Sequence, residues 1–552
     1  MEAGQGGRPY GGLLAAGRFG SLEQEGLTVI RNRGFACATL GLALAFSARL
    51  PLGAQEAPHG HPQPEARQAP RGPEGRRLPP DSTTQHSLTL PDGRTLAFTA
   101  TAGSLPLVDE SGKLQAEIAY VAYTMAPEAG RPRPVTFAVN GGPGAASAYL
   151  NIGAIGPWRL PTGGDRISPS QPVALTPNDG TWLDFTDLVF IDPVGTGYSR
   201  AADGNGKAYW SIDSDAATLS AVIARYLRVN DRMASPKFYV GESYSGFRGP
   251  LIAEKLQEDI GVGLSGMVLL SPVLDFAWLE APRANPWGYV LKLPSLAAGA
   301  LERKGTVPTP ALLGEAEAYA SGPYLSDLLK GPSDAGAVAR MTETVAPLVG
   351  LDAALVRSQG ARLSTRSVQR EIDRAGGRVA SAYDTGITGW DPNPDATQSN
   401  FDDPQLTAIQ APLTSAMLDL YARTLKWPVP NMRYELLNNA VNHGWSWGSG
   451  RQAPEVFSNL KGALALDGHL RVLVAHGFTD LVTPYFASKL LLAQAPAYAA
   501  GRLDLAVYPG GHMFYTRADS RASFHRDVAR LYADALKARD GDTTPGKAKD
   551  AP

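Results

Sequence analysis

Apolar and polar positions change period along this chain, and the changes divide it into regions. From residue 87 to 125 they alternate, with turn signals at Asp92-Gly93 and Ser111-Gly112, which predicts an antiparallel entry to a sheet. Largely apolar runs follow at 134–139, 188–191, 238–240, 266–270, 470–475 and 503–508, interrupted by Thr136, Arg471 and Asp504. Each marks a strand, and those at 134–139 and 188–191 read as buried ones. Between 216 and 229, Leu219, Val222, Ile223, Tyr226 and Leu227 recur at helical spacing, and further helical patterns occupy 250–256 and 523–536. Strands alternating with helices predict an α/β fold with a mostly parallel sheet. From 277 to 454 the strand signals vanish. Helical stretches such as 311–320 and 413–425 alternate there with Pro/Gly/Asp loops, which predicts an inserted helical cap. Within it, Tyr434, Trp445 and Trp447 are candidates for buried core or for the lining of a pocket.

The N-terminal residues follow another logic. Residues 1–30 are Gly-rich and show no period. Arg31-Asn32-Arg33 then precedes a short apolar run, 34–45, and small residues follow at Gly53-Ala54. That order describes a secretory signal, with the true start expected near Val29. An uncleaved anchor is the alternative, although the run is short for a membrane span. Periplasmic or secreted localisation is therefore expected, with no integral membrane span in the mature chain. Residues 51–80 hold eight prolines, which predicts a linker, and the folded part is expected from near His86. The expected organisation is an extension and signal peptide over 1–54, a linker over 55–85, a core over 86–276 and 455–540, the cap over 277–454, and a disordered tail over 541–552.

Composition narrows the function classes. The 552 residues carry 51 basic and 53 acidic side chains, a formal net charge of -2, so no global basic field favours nucleic acid. The single cysteine, Cys37, rules out an intramolecular disulfide and a Cys/His zinc site.

Three chemically able residues stand in loops after three predicted parallel strands: Ser243, Asp480 and His512. Strand C-termini gather on one edge of such a sheet, where sites form. Ser243 lies in Gly241-Glu242-Ser243-Tyr244-Ser245-Gly246, between a strand and a helix, the layout of a nucleophile elbow. A serine hydroxyl needs a base, an imidazole can take and return its proton, and a carboxylate can hold that imidazole. His476 is a rival base, but it precedes Asp480 in the same loop and reads as structural. After the strand at 134–139, Asn140-Gly141-Gly142-Pro143-Gly144 forms a tight turn at the place where hydrolases of this type set one oxyanion donor.

These motifs resemble the serine carboxypeptidase family, exopeptidases of the α/β-hydrolase fold, in what looks like a bacterial-type member. The resemblance rests on residues 140–144, Ile155-Gly156-Pro157, the stretch 192–199 from Asp192-Pro193 to Tyr198-Ser199, the elbow, Asp480, and Gly510-Gly511-His512-Met513. It implies Ser243 as nucleophile, His512 as base and Asp480 as its partner, with backbone N–H groups of Gly142 and Tyr244 as the oxyanion hole. It implies a peptide substrate bound by Asn140, Gly141 and Glu242, and neither metal nor cofactor. Two of the family's carboxylate-binding positions read Ala138 and Ala154 in place of Trp and Glu, and the cysteine after its Gly-Gly-Pro-Gly reads Ala145. An acyltransferase or esterase on the same scaffold is accordingly the alternative to a carboxypeptidase. A non-catalytic binding protein is a third reading, against which the complete constellation argues.

Overall fold

The computed structural model describes residues 75–127, 132–161, 168–170, 174–279 and 283–541. The expected signal segment, most of the linker and the tail after 541 lie outside them. The described chain is built on one ten-stranded sheet. Its nine main strands are β1 (Ser82–Thr89), β2 (Thr95–Val108), β3 (Leu114–Met125), β4 (Val135–Val139), β5 (Asp187–Ile191), β6 (Lys237–Glu242), β7 (Gly266–Leu270), β8 (Arg471–Gly477) and β9 (Leu503–Tyr508). They lie in the order β1-β2-β3-β5-β4-β6-β7-β8-β9, and the short strand Arg200–Ala201 pairs beside β3. From β5 to β9 every pairing is parallel, whereas β1, β2 and β3 form an antiparallel entry.

Alternate residues of the central strands feed two cores. Ala138, Phe190, Phe238, Val240, Val268 and Leu270 join one face. Phe137, Val189, Tyr239, Met267 and Leu269 join the other. Both faces are dry, so these strands read as largely apolar runs. β1 begins at Ser82, ahead of the expected start near His86. Its residues Ser82, Thr83 and Thr84 pair with β2 at the sheet edge. One side of an edge strand meets water, so its Ser-Thr-Thr-Gln sequence resembles linker.

Four helices flank or brace the site edge of the sheet: α1 (Ile212–Val229), α2 (Tyr244–Glu258), α3 (Leu293–Arg303) and α4 (Ala518–Gly541). α2 starts directly after Ser243 and carries Pro250 inside it, rather than starting at Pro250. The region 277–454 is mainly helical but contains a hairpin of Arg378–Ala380 with Thr388–Trp390, too short for a period to register. Its helices form a third core, including Leu296, Leu313, Met341 and Val345, which also takes in Phe478, Tyr485 and Phe486 after β8.

A buried ion pair ties α1 and α2 to the sheet. Arg248 Nε donates to Asp215 Oδ2 at 2.5 Å, and Arg248 Nη1 donates to the carbonyl of Asn140 at 2.7 Å, at the end of β4. Both side chains are almost inaccessible. Removing one partner of such a pair leaves an uncompensated buried charge. Arg248→Met is expected to cost about 3–5 kcal/mol in denaturant unfolding, and the double variant Arg248→Met with Asp215→Asn is expected to recover much of that loss.

Candidate active site

The loops after β4, β6, β8 and β9 meet on one edge of the sheet. Ser243 caps α2 with φ 59° and ψ -122°, a strained conformation for an L-residue. Its N–H donates to the carbonyl of Leu270 at 2.8 Å, and its own carbonyl accepts from Gly246 N–H at 2.9 Å. Two glycines make the turn possible. A Cβ on Gly241 would stand 2.2 Å from the carbonyl oxygen of Ser245. A Cβ on Gly141 would stand 2.6 Å from Tyr244 N and 3.0 Å from Ser243 Cβ. The loop after β4 thus lies against the elbow, as the motifs predict. Tyr244 is the first residue of α2, where a backbone N–H has no intrahelical acceptor.

The structure brings Asp480 and His512 together. His512 Nδ1 lies 2.8 Å from Asp480 Oδ2, and both side chains are buried. Asp480 Oδ1 accepts from the N–H groups of Val482 (2.7 Å) and Thr483 (3.0 Å). Thr483 Oγ1 sits 2.7 Å from Asp480 Oδ2 and 3.1 Å from His512 Nδ1. With Nδ1 engaged, Nε2 is the nitrogen left for a serine proton. Burial disfavours the His512 cation, but the charge and hydrogen bond of Asp480 outweigh it, with help from Glu242, and hold its pKa above the ordinary value. His476 is different. It is fully buried, its Nε2 is 2.8 Å from Ser488 Oγ, and burial lowers its pKa to about 4, so it is a neutral structural histidine.

Beside the elbow stands a polar cluster. Asn140 Nδ2 donates to Glu242 Oε2 at 2.6 Å, while Asn140 Oδ1 accepts from Leu150 N–H at 2.9 Å. The second bond fixes which way the amide faces. Tyr515, which sequence reasoning missed, directs its hydroxyl at both Glu242 oxygens, 2.9 and 3.0 Å away. Its ring lies near Gly153, next to Ala154, the position where the family resemblance calls for a second carboxyl. A phenol from the loop after β9 therefore reaches Glu242 instead. Burial pushes the Glu242 carboxyl up, against the opposing effects of His512, Tyr515 and Asn140.

The region 277–454 braces these loops. His512 N–H donates to the carbonyl of Tyr383 at 2.6 Å, and Leu481 N–H donates to Ala382 at 2.9 Å. The Tyr383 ring stands edge-on to the His512 ring at 5.3 Å. Arg517 forks between Glu302 of α3 and Asp384. On the other side, Asn438 N–H donates to Gly144, and Asn438 Nδ2 donates to Gly195, each at 2.8 Å. Tyr434 and Trp445 are buried core, whereas Trp447 is exposed.

This arrangement sets a buried imidazole–carboxylate pair and a strained serine in loops on one edge of the sheet. A fluorophosphonate is expected to label Ser243, and Ser243→Ala to abolish labelling. The labelling rate should rise with pH through the His512 pKa, with its midpoint above the ordinary histidine value, because only the neutral imidazole takes the proton. Asp480→Asn should slow labelling by up to about 10⁴-fold. Intact-protein mass spectrometry measures each rate.

Comparison with known proteins accords with the geometry. Residues 96–280 match the family model described as serine carboxypeptidase. The pheromone-processing carboxypeptidase KEX1 of Yarrowia lipolytica is 30% identical over 172 residues, 29% of this chain and 25% of that protein. Its namesake from Aspergillus niger is 34% identical over 133 residues, 24% of this chain and 20% of that protein. The chain thus spans a quarter or less of the length of these curated relatives. Both are fungal, so they lend no support to a bacterial-type assignment. Among solved structures, a prohormone-processing carboxypeptidase of Saccharomyces cerevisiae superposes with a TM-score of 0.50 at 16% identity, covering 79% of this chain and 92% of that one. At that identity the likeness concerns the fold. The chain therefore has an α/β-hydrolase fold and, over residues 96–280, the sequence signature of the serine carboxypeptidases.

Proposed function

We propose that this protein is an exported serine-type carboxypeptidase that releases C-terminal residues through an acyl-enzyme. The observation that carries this reading is the buried carboxyl of Glu242, placed one residue before the candidate nucleophile and shared by Asn140 and Tyr515. The match of residues 96–280 to the serine carboxypeptidase model supports it. So does the carboxypeptidase activity for which the matched relatives are named. Export rests on the basic and apolar pattern of residues 31–54 alone.

In this mechanism Ser243 Oγ attacks the scissile carbonyl while His512 Nε2 takes its proton. Asp480 keeps the imidazole in the needed tautomer and stabilises the cation. The N–H groups of Gly142 and Tyr244 receive the oxyanion, and Gly141 lets the substrate approach closely. His512 returns the proton to the leaving amine, and water then cleaves the acyl-enzyme by the same steps reversed. Asn140 and a neutral Glu242 hold the free carboxylate of the departing residue. An ionised Glu242 would repel that carboxylate, so recognition belongs to the protonated form. Ala138 and Ala154 remove two groups that the resemblance assigns to this task, and Tyr515 supports the remaining carboxyl.

The decisive comparison is an N-blocked dipeptide with a free C-terminus against its amide and a simple ester, for wild type and Ser243→Ala, over about pH 4 to 8. Turnover of the free acid, absent in Ser243→Ala and much weaker for the amide, is the expected result. Equal turnover of all three substrates, or of esters alone, would leave an esterase or acyltransferase.

Two pH effects arise from opposite requirements. The kcat is expected to fall as pH drops through the raised His512 pKa. The KM of the free acid is expected to climb as pH rises through the raised Glu242 pKa, with no such climb for the ester. Glu242→Gln should flatten that KM profile. Tyr515→Phe removes a bond that lowers the Glu242 pKa, so it should move the climb to higher pH.

A further inference from the structure

The loops of Asp480 and His512 both rest on one short turn from the region 277–454. Residues 381–387 join the two strands of the hairpin Arg378–Ala380 and Thr388–Trp390. The carbonyl of Tyr383 accepts from His512 N–H, and that of Ala382 from Leu481 N–H. Thr385 N–H donates to the carbonyl of Thr479 at 3.3 Å, and Thr479 N–H donates to the carbonyl of Gly510 at 2.9 Å. Backbone bonds therefore link the turn to each loop and the loops to one another. Two glycines allow the approach. A Cβ on Gly511 would stand 2.6 Å from Asp384 Cα, and one on Gly386 would stand 2.7 Å from Glu302 Oε2.

Asp384 belongs to that turn and is 2% exposed. Its Oδ1 accepts from Thr479 Oγ1 at 2.7 Å, one residue before Asp480, and from Gly386 N–H at 3.0 Å. Arg517, which follows the loop of His512, donates through Nη2 to both Asp384 oxygens at 3.0 and 2.8 Å. One carboxylate thus joins the neighbour of Asp480 to the far end of the loop bearing His512. Arg517 also donates to both oxygens of Glu302, so a single guanidinium serves two carboxyls. Asp384 and Glu302 hold the Arg517 pKa above its ordinary value despite burial. Desolvation offsets most of the attraction in such a buried pair, whereas its forked bonds are directional.

We propose that Asp384, held by Arg517, is a positioning residue: through Thr479 and the Tyr383 carbonyl it sets the two loops at the separation at which Asp480 and His512 bond. This rests on the reading of Ser243, Asp480 and His512 as one hydrolytic site, and not on the choice of substrate. Asp384 touches neither Asp480 nor a reacting atom, so its whole effect passes through the carboxylate–imidazole pair. A misplacement of that pair by a fraction of its bond length weakens proton transfer from Ser243. An ion pair that only stabilised the region would change unfolding and leave the reactivity of Ser243 in the folded protein as it is.

The test measures the rate of fluorophosphonate labelling at Ser243 in folded protein, with denaturant unfolding in parallel. Thr479→Val keeps the side-chain shape but loses the hydroxyl, and Asp384→Asn removes the charge. Each is expected to slow labelling by up to about 100-fold. Thr479→Ser, which restores a hydroxyl, should recover most of the rate. In an Asp480→Asn background the losses from Thr479→Val and Asp384→Asn should disappear, because residues that act as a unit are not additive. Asp391→Asn breaks another buried pair of the same region, with Arg370, and should lower stability while leaving the rate in place. Should Asp384→Asn fail to fold, Thr479→Val and its rescue carry the test alone. Wild-type rates in the variants, or losses that multiply with that of Asp480→Asn, would overturn the proposal. If the losses are non-additive while free-acid peptides are not cleaved, the proposal stands and the carboxypeptidase reading falls. Free-acid cleavage with multiplying losses has the opposite meaning, and a wild type that does not label at Ser243 would overturn both.

Discussion

The backbone at Ser243 is held where an L-residue is strained, with φ 59° and ψ -122°. Such a residue costs about 1–3 kcal/mol and persists only where its surroundings over-determine it. Here they do. β7 accepts its N–H through Leu270, and the first turn of α2 takes its carbonyl through Gly246. Gly241 and Gly141 leave no room for a side chain between the elbow and its neighbours. Arg248, one turn into α2, then joins the helix to α1 through Asp215 and to the end of β4 through Asn140. The brace that holds the helix therefore also holds the loop that lies against Ser243.

From that turn the site divides by chemistry. On one side Glu242 is buried, which favours its neutral form, while His512, Tyr515 and Asn140 oppose that shift. On the other, Tyr244 begins a run of rings that ends in solvent at Trp447. One strained residue separates a hydrogen-bonding surface from a dispersion surface.

The helical region between β7 and β8 is joined to the edge of the sheet that bears Ser243, Asp480 and His512 by directed bonds. Tyr383 accepts from the backbone of His512, Ala382 accepts from Leu481, and Arg517 binds Glu302 and Asp384 together. Asn438 fastens the opposite rim at Gly144 and Gly195. The loops bearing Asp480 and His512 thus owe part of their placement to residues far from them in sequence.

Local pattern was enough to determine the central strands, the loops that follow them, and the loop residues Ser243, Asp480 and His512. Each depends on a run of apolar residues closed by Gly, Pro or Asp, and such signals lie within a few neighbours. The edge strand at Ser82 and the hairpin at 378–390 escaped, one because half its surface meets water, the other because it is too short to show a period. Only the tertiary structure decided that Tyr515 meets Glu242, 273 positions away, that Arg248 meets Asp215, that Tyr383 carries His512, and that Trp447 is exposed while Trp445 is buried. Those pairings join residues from different loops and helices, and no periodicity along the chain encodes which of several equally polar or aromatic side chains will meet once the sheet has closed.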